Sequence, residues 1–245
     1  MIANLFTDEY TGAPFNFLGP AHITALLLIV VLNIFLLRDR KRDEAAHRRT
    51  RLAIALILWI NEAGFHLWHI VHGSWSIQEH IPLHACSVLI WLSGFMLINK
   101  DERIYPFAYF MGIAGAIQAL FTPDIGIYGF PHYRFFQTNI SHGLLVTGAI
   151  YLTTVEGMRP TWKSLLRVMV IMNIYMVIVL GINSLIGSNY LFVSRKPPGP
   201  TLLDALPDWP IYLIYIEALG LVIFLLLYLP FLIKDLREKK KLAAA

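Results

Sequence analysis

A chain of 245 residues that is 57% hydrophobic and 15% charged, with mean hydropathy +0.59, is too apolar for a soluble domain of its size. Its net charge of +4 does not call for nucleic acid as a partner, because the basic residues sit mainly in loops between apolar runs. A single cysteine, Cys86, excludes an internal disulfide.

Seven runs reach the roughly 17–25 residues needed to cross a hydrocarbon layer. They fall at 21–37, 52–71, 82–98, 105–121, 138–154, 165–186 and 209–233, and they predict an all-α polytopic membrane protein with one seven-helix domain over residues 1–245. Placing alternate loops on alternate sides gathers 17 of the 20 Lys and Arg residues on one side. Only Arg134, Arg195 and Lys196 fall on the other. The positive-inside rule then sets the N-terminus outside and the C-terminus in the cytoplasm. The first run lacks the basic leader and cleavage site of a signal peptide, so it is expected to stay as a helix.

In chain order, the first run carries one interior polar residue, Asn33, and reads as scaffold. The second, LAIALILWINEAGFHLWHIV, places Glu62, His66 and His69 on one helical face at i, i+4 and i+7. An intramembrane glutamate is costly unless paired, which marks a functional stripe. The competing reading is a Glu62–His66 pair that only locks helices together. The stretch HIPLHACSVLIW opens the third run, which is expected to start at Ile81-Pro82, with proline in its first turn. On such a helix His84 and Cys86 point about 200° apart, so a base for Cys86 must come from another helix. The competing reading of Cys86 is a small buried hydrophobe.

The fourth run is rich in small residues that permit close helix approach, with Gln118 near its outer end. Asn139 and His142 share a face at the start of the fifth, and Asn183 ends the sixth. A proline-rich outer loop, from about Gly187 to Asp208, could act as a lid. The seventh run opens with Trp209, Tyr212 and Tyr215, with Glu217 deeper. No internal repeat is visible.

The polar residues of these runs cluster toward the outer leaflet, as expected of a cavity opening outward. Two chemistries fit. Acyl transfer needs a nucleophile, a base and an oxyanion stabiliser, for which Cys86, His142 or the His66/His69 stripe, and Asn139, Asn183 or Gln118 are candidates. A metal-dependent hydrolase would use His66, His69, His84 and His142, although an H-E-x-x-H pattern is absent. A proton-coupled carrier using Glu62 and Glu217 is the third class. A retinal receptor is excluded, since no lysine lies mid-span.

The stretches IPLHACSVLIW, YPFAYFMGIAGAIQALFTPDIG, PHYRFFQTNISHGLL, IGSNYLF with KPPGPTLLD, and DWPIYLIYIE together resemble the YwaF-like family of bacterial integral membrane proteins. That family is similar to eukaryotic TMEM-type proteins thought to be cysteine-centred phospholipid acyltransferases. The resemblance implies a catalytic cysteine at Cys86 and a catalytic histidine at His142, and His84, in the same motif as the cysteine, is taken as a third catalytic residue. Glu62, His66, His69, Gln118, Asn139, Asn183, Arg195, Lys196 and Tyr212 are then expected to contact substrate, the two cations through a headgroup phosphate. The expected partner is a membrane phospholipid or acyl chain in a bacterial plasma membrane. No cofactor is expected, and a homo-oligomer is left open.

Overall fold

The computed structural model describes residues 4–197 and 202–243. Among these the chain is helical without strands. The long helices are α1 (Pro20–Leu36), α2 (Glu44–Val71), α3 (Ala85–Asn99), α4 (Tyr105–Phe121), α5 (Tyr133–Thr154), α6 (Trp162–Ile186) and α7 (Ile211–Ala243). Helix therefore covers most of each of the seven apolar runs. Among the described residues, four helices are long and apolar enough to cross a membrane: Pro20–Lys41, Glu44–Val71, Trp162–Ile186 and Ile211–Leu242. Helices α3 and α4 are apolar but shorter. At about 1.5 Å per residue, α3 with its 15 residues falls short of a hydrocarbon core of about 30 Å.

Local chemistry sets the helix ends. Pro20 occupies the first position of α1, where its missing N–H costs nothing. Asp43 caps α2 by accepting from the Ala46 N–H at 2.9 Å. Thr161 and Ser164 form a capping box on α6, and Gly187 closes that helix at φ 72°. Within α4, residues Ala108–Gly112 form a π turn between two α-helical stretches.

The chain divides into two compact units. The first comprises Met1–Ser76 and Ala85–Met158 and holds α1–α5; the second comprises Ile77–His84 and Arg159–Ala245. In the first unit α5 is the central helix, packed against α1, α2, α3 and α4. Glycines permit these approaches. Gly143 of α5 lies under Ile29 of α1, Gly148 of α5 under Leu97 of α3, and Gly94 of α3 under the Trp59 indole of α2. At one end of the unit a buried Arg51–Glu156 ion pair joins α2 to the segment after α5, flanked by Glu44 and Lys100.

In the second unit α6 and α7 pack together. The Ile77–His84 strap is fixed by Tyr190, whose hydroxyl donates to the Ile77 carbonyl at 2.8 Å and accepts from the Ile81 N–H at 2.9 Å. This corrects the expected start of the third helix, which begins at Ala85 and not at Pro82. Residues 81–84 are spent on contacts with a loop more than a hundred positions away, and those contacts outweigh a local helix start.

Candidate functional site

Three helices of the first unit build a polar cluster. On α2, Asn61 donates to the Gln137 carbonyl at 2.9 Å and to Ser141 Oγ at 2.6 Å. On α5, Gln137 Nε2 also donates to Ser141 Oγ at 3.2 Å, while its Oε1 accepts from Arg134. The Arg134 guanidinium lies 4.5 Å over the Phe65 ring of α2. Arg134, Gln137 and Ser141 are spaced i, i+3 and i+7, which puts them on one face of α5.

Glu62, 2% exposed, lies against this cluster, with Ser87 of α3 and Arg134 of α5 as its polar neighbours. Its Oε1 has no hydrogen-bond partner; His66 Nε2 stands 3.7 Å away. An unsatisfied buried acceptor costs about 1–3 kcal/mol, and more when charged. The expected Glu62–His66 juxtaposition is therefore present. Trp75 Nε1, which can only donate, bonds His66 Nδ1 at 3.2 Å. That fixes the neutral ring with its proton on Nε2, facing Glu62. His69, one turn on, is turned to Ser74 Oγ at 2.8 Å.

Cys86 is half-buried in the first turn of α3, next to Ser87. Gly115 of α4 lies beside the sulfur: a Cβ built there would stand 3.5 Å from it, at ordinary van der Waals contact. His142 of α5 bonds the Thr138 carbonyl through Nδ1 at 2.8 Å. A carbonyl only accepts, so this bond puts the proton on Nδ1 and leaves the lone pair on Nε2.

The first unit thus contains Cys86, His142, Glu62, His66, His69, Gln118 and Asn139. Gln118 is exposed. Asn139 gives its amide to the Phe135 carbonyl at 2.8 Å and lines an apolar cavity of about 890 Å³ between the N-terminal segment, α1 and α5. His142 does not line it.

The remaining expected residues belong to the second unit, each in a contact of its own. His84 is not helical there, so the 200° argument does not apply to it. Its Nδ1 accepts from the Leu191 N–H at 3.3 Å, and its ring meets Tyr190 and Phe192. Leu191 and Phe192 both have φ between 50° and 60°, a conformation that costs non-glycine residues about 1–3 kcal/mol each. The Tyr212 hydroxyl holds the Phe192 carbonyl. Asn183 shapes the same turn through Tyr190, Ser188 and Ser194. Lys196 donates to the Leu206 carbonyl at 2.8 Å, and Arg195 is exposed. Pro198 and Pro200 of the expected lid lie outside the described residues. Glu217 takes the amide of Asn173.

Among the described residues of the first unit, Glu44, His47 and Glu156 gather as a possible metal-ligand set, whereas His66, His69 and His142 do not. Arg51 and Lys100 already neutralise those carboxylates.

Outside the helices, His132 caps α5. It is fully buried, with Nε2 bonded to the Thr7 carbonyl at 2.8 Å and Nδ1 accepting from the Arg134 N–H at 3.1 Å. Burial lowers its pKa from the ordinary value; the Thr7 carbonyl opposes that shift, while Arg134 and His72 reinforce it.

Asn61, Gln137 and Ser141 are not singled out by the sequence, and Arg134 counts there only as an outer-side charge. The spacing of Arg134, Gln137 and Ser141 on one helical face was the available signal.

No curated protein and no solved structure matches the chain. Residues 17–228, by contrast, match the model of the TMEM164 family. With a match over that length, the chain belongs to the TMEM164 family of transmembrane proteins.

Proposed function

We propose that the chain is a seven-span lipid acyltransferase of a bacterial plasma membrane, with its N-terminus outside and with Cys86 as nucleophile and His142 as general base. The observation that carries this reading is the His142–Thr138 bond, which leaves a basic Nε2 lone pair on a helix packed against the one bearing the chain's only thiol. The helix at every apolar run and the strong bias of basic residues toward one side support the topology.

An isolated charge is costly in hydrocarbon, so the thiol proton passes to His142 Nε2 as sulfur attacks the ester carbonyl carbon. The carbonyl π electrons move to oxygen. Collapse re-forms the carbonyl and expels the donor alkoxide, which takes the proton back from His142. The acyl group is then held on Cys86 as a thioester. An acceptor hydroxyl attacks this thioester, gives its proton to His142, and releases the sulfur, which recovers that proton. Water in place of the acceptor gives hydrolysis. The Thr138 carbonyl keeps the imidazolium aligned through both halves.

The test uses purified protein and a phospholipid carrying a labelled acyl chain. Label is expected on Cys86, removable by hydroxylamine, and absent from Cys86→Ala. His142→Gln is expected to slow its appearance by about 10²–10⁴-fold. Equal labelling of wild type and Cys86→Ala sinks the thioester mechanism, as do identical acyl profiles in cells expressing wild type and Cys86→Ser at equal levels.

A further inference from the structure

The cavity of about 890 Å³ beside α1 stands apart from the chemistry at Cys86. Its walls come from α1, with Ala21, Ala25 and Leu28, and from α5, with Phe136, Ile140 and Gly143; the N-terminal segment 13–16 adjoins it where α1 begins. It is not lined by Cys86, His142 or any residue of α3 or α4. The walls follow α1 from Pro20 to Leu32, a length of about 18 Å at 1.5 Å per residue. That is close to the depth of one leaflet, half of a hydrocarbon core of about 30 Å.

Polar groups in the walls are few and nearly all spent. The lining holds no aspartate, glutamate, lysine or arginine. His22 uses both ring nitrogens: Nδ1 accepts from the Leu18 N–H at 3.0 Å, and Nε2 donates to the Leu120 carbonyl at 2.8 Å. Thr24 gives its hydroxyl proton to the Pro20 carbonyl at 2.8 Å, and Asn16 is exposed. Asn139 differs. Only 8% exposed, it gives its amide N–H to the Phe135 carbonyl, and its Oδ1 has no hydrogen-bond partner among the described residues. An acceptor kept from water without a donor is costly. A bridging water needs about two to four polar partners, and with His22 and Thr24 spent the wall is short of them.

These groups define what a ligand must supply. An amide oxygen only accepts, so the ligand brings a hydrogen-bond donor. The lining cannot neutralise a charge, and an unpaired charge is costly in apolar surroundings, so that donor is a hydroxyl and not part of an ionised head. Asn139 is the seventh residue of α5, and the fifth apolar run opens at residue 138. The hydroxyl therefore sits at the edge of the hydrocarbon, while the apolar wall continues past it to Leu32 and Leu144. A volume near the top of the range of about 300–1,000 Å³ for ligand pockets favours two chains over one.

We propose that this cavity binds a diacylglycerol, whose free hydroxyl donates to Asn139 Oδ1 and whose chains lie along α1. The site goes beyond the acyl-transfer reading and is filled with or without reaction at Cys86.

The experiment uses the purified full chain in detergent micelles and a diacylglycerol with a photoreactive group in one chain. Three analogues carry the same group: the deoxy form lacking the hydroxyl, the phosphatidate, and a single-chain alcohol. Labelled peptides are mapped by mass spectrometry. Diacylglycerol is expected to label residues 13–32 and 130–144 saturably, and to bind about ten-fold more tightly than each analogue; for the deoxy form this is the effect of leaving a buried acceptor without its donor. Asn139→Leu is expected to bind diacylglycerol and its deoxy form alike, and Ala25→Phe, which fills the cavity, to label with neither. The wild-type series decides alone should a variant fail to fold. Equal binding of diacylglycerol and its deoxy form overturns the proposal, since that marks a plain hydrocarbon groove. Phosphatidate or the single-chain alcohol binding as tightly as diacylglycerol overturns it too, as does saturable label confined to other residues.

Discussion

Replacing Glu156 by glutamine is expected to be the most damaging neutralisation at the charged end of the first unit. The side chains of Arg51 and Glu156 are 4% and 5% exposed, so their pair is buried on both sides. Glu156 also accepts from Lys100 at 3.3 Å. Removing one partner of a buried pair costs about 3–5 kcal/mol, since it strands the other charge. Arg51 keeps the Leu97 carbonyl at 3.1 Å and Glu44 at 3.0 Å, but Glu44 is 61% exposed and compensates weakly. The lower end, about 3 kcal/mol, is therefore expected. At about 2–4 °C per kcal/mol for a chain of this size, the midpoint falls by about 6–12 °C. A thiol-reactive dye reports the transition, because Cys86 is the only cysteine and is half-buried. Two controls sharpen the comparison. Lys100→Gln removes a partner that is 40% exposed and should cost at most about 1 kcal/mol. The double change Arg51→Met with Glu156→Leu removes both charges and should cost less than Glu156→Gln alone. A Glu156→Gln shift below about 2 °C, or one no larger than that of Lys100→Gln, refutes the reasoning.

Acidification supplies a second prediction. The His132 pKa is lowered in the folded state, so its stabilising contribution is complete above the unfolded value of about 6.5 and is lost as pH falls through the folded one. Melting temperature should drop below about pH 6.5 in wild type. His132→Asn, which can still cap α5 but does not titrate, should lose that part of the slope; an unchanged slope counts against the assignment. Glycine substitutions give a third. A Cβ at Gly94 would lie 2.1 Å from Trp59 Nε1, whereas one at Gly181 meets nothing within 4 Å. Gly94→Ala should destabilise by about 1–3 kcal/mol through overpacking, and Gly181→Ala should stabilise by about 0.5–1 kcal/mol. Thermal melts that rank the two variants in the opposite order would contradict the packing.

The helices were legible because hydrophobic runs of sufficient length admit few alternatives. So was the Glu62–His66 stripe, which is a local consequence of helical spacing. What escaped was long-range. The true start of α3 depends on Tyr190 binding residues 77 and 81, a contact with no signature near Pro82. Asn139 and His142 looked like one face, yet Asn139 turns to the cavity beside α1 while His142 bonds Thr138; three residues along a helix leave about 60° between side chains, enough to divide them between neighbours. Arg195 and Lys196 mark a phosphate site by charge alone; in the structure Lys196 donates to the Leu206 carbonyl and Arg195 is exposed. Arg134 counts in the sequence only as an outer-side charge, and its packing against Phe65 and Gln137 is what draws it inward.

The π turn at Ala108–Gly112 bears on how this chain tolerates changes in length. Such a turn is a helix carrying one surplus residue, absorbed locally as a bulge. Losing a residue there would restore plain α-helix and leave the following stretch, Gly115 included, on its present side. Losing one within Ile113–Phe121 would instead rotate whatever follows by about 100°. Insertions and deletions among descendants of this sequence therefore have a permitted place, one turn before the glycine that lies beside Cys86.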